Sequence, residues 1–199
     1  MDQNITKFQK ALSRIDQKNS EDPNMETWEG KEFPKELLYA MRMSDCLDAF
    51  EPNASEALLL AARAHHIGRW KVDRSEFPEG RSGYLKWRNH LKEMHAKWTA
   101  EILMEVGYDK DFIQEVSDLI LKKGLKKNEQ TQILEDVICL VFLEHYLDGF
   151  TAKTSNEKII EILSKTWRKM SSKGHKWALA INYQEPVKSL INEATTSNT

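Results

Sequence analysis

Apolar residues return at three- and four-residue spacing in almost every segment of this chain, and very little interrupts them. Ile5, Phe8, Leu12 and Ile15 form one such stripe, and QILEDVICLVFLEHYL (132–147) is apolar nearly all round. This period places the apolar side chains on one face of an α-helix. Only 8 Gly and 5 Pro occur in 199 residues, so the periodic stretches run long. No pair of strands joined by a hairpin turn is expected. The pattern predicts an all-α fold.

The helices are expected at about 5–18, 34–50, 53–68, 84–106, 109–124, 128–150 and 154–174, with one or two short helices after that. Pro34 suits a first turn, where its missing N–H does no harm. Asn53 to Glu56 reads as the capping start of the third helix, Asp109 as the cap of the fifth, and Thr154 with Glu157 as the capping box of the seventh. Asn19 to Gly30 is polar and reads as a loop. The segment GRWKVDRSEFPEGRSG (68–83) carries three Gly and one Pro without any period. Loops of this length inside a compact domain are uncommon and often functional. These divisions give an N-terminal helical arm and loop over 1–32, a helical domain over 33–182, and a C-terminal helix and frayed tail over 183–199.

Charge and composition exclude several classes. The formal net charge is −2, which does not suit a globally basic nucleic-acid binder but leaves room for a local patch. Cys46 and Cys139 sit in apolar helical patterns and build no disulfide framework. The longest apolar run, Val137–Leu143, is far short of the roughly 20 residues that span a bilayer. The N-terminus has no apolar signal core. A soluble, cytoplasmic protein with no membrane partner is expected; the sequence sets no oligomeric state.

Function is sought where helical geometry puts polar residues on faces that should be buried. A buried charge or imidazole is unfavourable unless paired, hydrogen-bonded or metal-bound. His65 and His66 end the run ASEALLLAARAHH, and at least one must point inward. His95 shares a stripe with Leu91, Trp98 and Ile102. Asp136 shares one with Ile133, Leu140 and Leu143, where it needs a cation or several donors; Arg42, Arg63 or Arg88 would supply the cation. Glu36 shares one with Tyr39, Met43 and Leu47. His90 lies nearer an edge. Imidazoles and carboxylates converging on one helical core would suit a divalent metal such as Zn, Mn or Fe.

A second signal is local charge. From Arg63 to Arg88 seven basic residues face three acids, Asp73, Glu76 and Glu79, and Trp70, Phe77, Tyr84 and Trp87 are interleaved. Arginine offers bidentate donors to phosphate, and aromatic faces suit a base or sugar. Arg69, Arg74, Arg81 and Arg88 are the candidate phosphate-binding residues. The stretch lies between the His65-His66 doublet and His95. The lysines at 122, 123, 126 and 127 read as a solvated face.

LLAARAHHIG (59–68) is similar to the core helix of the HD phosphohydrolase superfamily, which reads apolar-A-A-x-x-H-D-I-G. HAKWTAEILMEVG (95–107), DFIQEVSDLILKK (111–123) and LEDVICLVFLEHYLDGF (134–150) resemble its later helices in order. Carried over, His65 falls at the doublet's His, His95 at a later His and Asp136 at the terminal Asp. The doublet's Asp is His66 here, and the pattern's first His is absent, with Glu36 or Tyr39 nearby. The chain also resembles, more closely and over about 34–180, the family catalogued as domain of unknown function 4202, through ELLYAMRM, ASEALLLAARAHHIGRW, RSGYLKWRNHL, LEDVICLVFLEHY and KTWRKMSSKG.

The HD resemblance implies an HD-like helical bundle and a metal-dependent hydrolase of a phosphate-bearing small molecule or nucleic-acid end; the second resemblance implies an intracellular helical protein and brings no established activity. His66, His95 and Asp136 would hold the metal, and Glu36 and His65 would complete the catalytic shell. Two other readings stand beside it: an HD-type di-iron oxygenase, and a non-catalytic nucleotide- or RNA-binding helical module.

Overall fold

The computed structural model describes residues 5–152 and 154–196. The chain divides into two compact units, Met1–Gly124 and Leu125–Thr199. The regular elements of the described residues are helices and one hairpin, and no described helix is long and apolar enough to cross a membrane.

The first unit opens with α1 (Lys7–Asn19), whose N-cap Thr6 and Gln9 close a reciprocal capping box. Its buried face is Ala11, Ile15 and Asn19. Ile5, expected in that stripe, precedes the helix and stays 56% exposed. The helix packs against α2 (Lys35–Phe50), α3 (Glu56–Arg63) and α4 (Gly80–Val106), so the segment expected as an arm lies within the packing of its unit. Helix α5 (Lys110–Ile120) packs on α3 and α4. It starts at the expected cap Asp109, whose side chain accepts from the Phe112 amide.

Four details correct the sequence reading of this unit. The segment expected as a loop holds an antiparallel hairpin, β1 (Met25–Trp28) and β2 (Lys31–Pro34). Its two connecting residues, Glu29 and Gly30, both have positive φ (51° and 74°), the requirement of a tight two-residue hairpin turn. Helix α3 starts two residues later than read: Ser55, not Asn53, is its N-cap, accepting from the Leu58 amide. It also ends earlier, at Arg63, so His65 and His66 ride on a turn rather than a helix. The 68–83 segment contains two short 3-10 turns, Arg69–Lys71 and Arg74–Glu76, and α4 begins at Gly80 rather than near Tyr84.

In the second unit α6 (Glu129–Val141) is capped by Asn128. It passes through a π-helical stretch, Phe142–Tyr146, into α7 (Leu147–Thr151). The single helix expected over 128–150 is thus interrupted. Helix α8 (Asn156–Trp167) is entered at Ser155 rather than Thr154. Gly174 ends no helix; it lies in the first turn of α9 (Ser172–Ala180). Helix α10 (Val187–Thr196) packs on α8 and α7.

Candidate functional site

The first unit gathers Glu36, Tyr39, His65, His66, Arg69 and His95, and each is brought there by a local device. Asp22, itself buried, accepts the Glu36 amide at 3.0 Å and fixes the entry of α2. This turns Glu36 and, one turn on, Tyr39 toward the same face. The turn after α3 is built from i to i+3 amide bonds: Ile67 to Ala64 at 3.0 Å and Arg69 to His66 at 3.0 Å. It closes at Gly68, with φ +68°, where a Cβ would stand 1.9 Å from the Trp98 ring. A glycine is therefore required for the backbone to lie against Trp98. The Gly68 amide also donates to the buried Asn19 side chain at 3.3 Å.

Tyr39, His66 and His65 are stacked, and His95 lies tilted beside His66. Tyr39 and His66 are parallel with ring centroids 4.0 Å apart, His65 and His66 are 4.9 Å apart, and His66 and His95 are 5.9 Å apart. His66 Nδ1 lies 3.2 Å from Glu36 Oε2. Arg69 Nε lies 3.6 Å from the other oxygen, Oε1. The Arg69 guanidinium covers the Trp87 ring at 4.7 Å. His95 Nδ1 is 2.7 Å from the Ile67 carbonyl, so it carries the proton and donates there. Its Nε2 is a buried lone pair without a hydrogen-bond partner, and His65 Nδ1 is another buried nitrogen without one.

Burial sets the protonation of this group. It lowers His65 and His66 well below the usual histidine range and brings His95 to about 4. All three imidazoles are neutral at pH 7. Burial raises the Glu36 carboxyl to about 7, opposed by the nearby Arg69 charge and reinforced by Asp22. Arg69 is lowered by its own burial, and the Glu36 charge works against that. Glu36 and His66 therefore exchange roles near neutrality. A protonated Glu36 donates to His66 Nδ1, which leaves the proton on Nε2. An ionised Glu36 accepts from Nδ1–H, which leaves Nε2 a bare base.

The donor chemistry here is partly that of a metal centre. An imidazole held by a carbonyl through Nδ1–H, with Nε2 free, is the usual support for a metal-ligating histidine. Among the described residues, however, no group of three or more His, Cys, Asp or Glu side chains is arranged to hold a metal ion. The side chains of this cluster supply donors without a closed shell.

Asp136 belongs to the second unit, where it is 1% exposed. It is held by donors rather than by an arginine. The Ser171 amide and hydroxyl donate to it at 2.8 and 2.5 Å, and the Gln132 amide group donates at 3.1 Å. Arg42 is engaged by Glu26 at 2.5 Å, and Arg63 by Asp16 at 2.7 and 2.8 Å. Asp136 thereby fixes the start of α9, the turn where Ser171 caps the helix through Gly174.

The four arginines have separate surroundings. Arg69 is in the histidine cluster. Arg88 donates to the Tyr84 hydroxyl at 3.1 Å, and its charge acts on His65, His66, His95 and Arg69. Arg74 donates to the carbonyls of Phe77 and Pro78, both at 2.9 Å, and of Gly80 at 3.4 Å, which ties the loop to itself. Arg81 is exposed in the first turn of α4. His90 is exposed beside Phe77. The stack of Tyr39 on His66 and the seat of Arg69 on Trp87 were not assigned from sequence. The three-residue spacing from Glu36 to Tyr39 and from His66 to Arg69 was the available signal.

A family model described as Domain of unknown function (DUF4202) matches residues 9–191. No match was found among curated proteins or among solved structures.

Proposed function

Because the chain belongs to the DUF4202 family, whose description names no activity, we propose a function from the chemistry of the histidine cluster: hydrolysis of a phosphate-bearing substrate, a nucleotide or a nucleic-acid end. The observation that carries the reading is the Glu36–His66 pair with Arg69 on the carboxylate's other oxygen. In an HD-like helical bundle, as the sequence resemblance implies, such a group would occupy the catalytic face.

The chemistry follows from the residues present. Arg69, held over Trp87, is a cation with little freedom to lose on meeting an anion. An arriving phosphate competes with Glu36 for that guanidinium. Glu36, released from Arg69, still holds His66 through Nδ1. Above about pH 7 the carboxylate keeps the proton on Nδ1 and leaves Nε2 to take one from an attacking water. Glu36 then stabilises the imidazolium that forms, the positioning role of the carboxylate in a triad, and the imidazolium gives its proton to the leaving oxygen as the bond from that oxygen to phosphorus breaks. Tyr39 stacked on His66 limits rotation of the ring. Arg88 adds a second charge for the phosphoryl oxygens.

The test is phosphate release by the tag-free protein from nucleoside mono-, di- and triphosphates and from phosphorylated oligonucleotides, with elemental analysis of the same sample. His66→Ala and Glu36→Gln should each lower turnover by 100-fold or more. Variants that turn over like the wild type would refute the assignment. Absence of both phosphate release and phosphate binding across the panel would refute the reading as a whole.

A further inference from the structure

Arg88, whose charge acts on the histidine cluster, lies on one face of α4. Helical spacing puts Arg81, Tyr84, Leu85 and Arg88 on the same side, at i, i+3, i+4 and i+7. Tyr84 is 43% and Leu85 50% exposed, and Arg81 is exposed beside them. The Arg88 guanidinium lies 5.9 Å from the Tyr84 ring centre while donating to its hydroxyl, so the ring is held in place. The pairing of cation and aromatic face repeats nearby: Arg69 on Trp87, and Lys71 at 5.8 Å from Trp70. Two of the three acids of this region are occupied by the loop itself. Asp73 accepts from the amide and hydroxyl of Ser75, and Glu76 accepts from the Asp73 amide.

The platform is built rigidly. Arg74 gathers three loop carbonyls, and Gly83 lies so close to Pro78 that a Cβ would stand 1.7 Å from its carbonyl oxygen. The first turn of α4 is thereby fixed against the loop. From Arg88 to Arg81 is seven residues, about 10 Å of helix. That length follows roughly three nucleotides of a stacked strand, whose phosphates rise about 3.4 Å each.

We infer that this face binds single-stranded nucleic acid, with one phosphate held at Arg69 and Arg88, the proposed phosphate pocket, and the following nucleotides lying along Tyr84 and Arg81. Cations beside an exposed aromatic ring, here Tyr84, suit a single strand, because its bases are free to stack. A duplex keeps its bases stacked on one another and has no use for Tyr84. The inference rests on the phosphate reading of the pocket.

The test uses the full chain and a 10-nucleotide single strand bearing a 5′-phosphate and a 3′ fluorophore, as RNA and as DNA, followed by anisotropy. At least one of the two should bind more tightly than a duplex of the same length. The double variant Arg81→Ala, Tyr84→Ala should weaken binding at least tenfold, whereas Tyr84→Phe should retain it. Arg81→Ala alone should lower the slope of log Kd against log salt by about 0.7, the share of one phosphate on a single strand. Unchanged binding by the double variant, no binding of either strand, or equal competition by polyglutamate would overturn the inference. Inorganic phosphate, followed by the imidazole NMR signals in wild type and Arg69→Ala, reports the pocket separately. Phosphate shifts retained by the double variant support the division of roles. Strand binding that needs Arg81 and Tyr84, without any effect of phosphate on the pocket, would leave the track standing and refute the pocket reading.

Discussion

Replacing Asp136 removes the acceptor on which the start of α9 is built. The carboxylate is 1% exposed and receives the Ser171 amide, the Ser171 hydroxyl and the Gln132 side chain. Hydrogen bonds to a charged acceptor are worth about 1.5–3 kcal/mol each, but losses at one centre do not add in full. Asp136→Ala should therefore destabilise by about 3–5 kcal/mol. For a chain of this size that lowers the thermal midpoint by roughly 10 °C, at about 2–4 °C per kcal/mol. Ser171→Ala removes the hydroxyl bond and the cap on the Gly174 amide, 3.1 Å away, and should cost about 1–2 kcal/mol.

Gly174 makes the argument sharper. A Cβ there would lie 2.7 Å from Asp136 Oδ1 and 2.8 Å from its Cγ. Gly174→Ala should destabilise the wild type by about 1–3 kcal/mol through crowding. In the Asp136→Ala background the crowding carboxylate is gone, and the added methyl should become neutral or stabilising. Urea titrations at pH 7, followed by circular dichroism for the two single variants and the double, give the coupling directly. Additive effects of Asp136→Ala and Gly174→Ala would refute the packing argument. An unchanged midpoint for Asp136→Ala would refute the buried acceptor.

Three further outcomes follow from the first unit. The folded pKa of His95, about 4, is below the free value near 6.5, so its contribution is full above pH 6.5 and is lost as pH falls through 4. The change is about 3 kcal/mol, at 1.36 kcal/mol per pKa unit, and His65 and His66 act in the same direction; His95→Asn should flatten urea midpoints between pH 6.5 and 4, and an unchanged slope would refute the neutral buried imidazole. Glu36 has the opposite sign: its folded pKa is raised to about 7, so its contribution is full below pH 4.5 and fades as pH rises through 7. Glu36→Gln should therefore gain stability relative to the wild type between pH 5 and 8, measured by the same titrations, and a constant difference would count against the raised carboxyl. Gly68→Ala should unfold the chain or lower its midpoint by more than 10 °C in a thermal scan, because the methyl meets the Trp98 ring at 1.9 Å and φ is +68°; a fold of wild-type stability would refute that contact.

The sequence alone determined the helical class, because apolar spacing at three and four residues is a local code that survives without knowledge of the tertiary structure. It located α5 through its Asp109 cap and marked His65, His66, His95, Glu36 and Asp136 as polar groups on apolar faces. All but the partly open His66 are buried. It missed the hairpin because Glu29-Gly30 is a poor match to the Asn-Gly signal, and the turn is held by strand pairing and packing on α2. It also extended α3 through the histidine doublet. ARAHH continues the helical period, but the Gly68–Trp98 approach and the Asn19 bond to Gly68 end the helix at Arg63. Protonation and partnership were decided only in three dimensions. Whether Asp136 faced an arginine or a serine depends on a contact across 35 residues that no local spacing encodes, and whether Arg74 faced a ligand or its own loop depends on how a segment without any period turns back on itself. Periodicity tells which side of a helix is buried; only the packed chain tells what is buried against it.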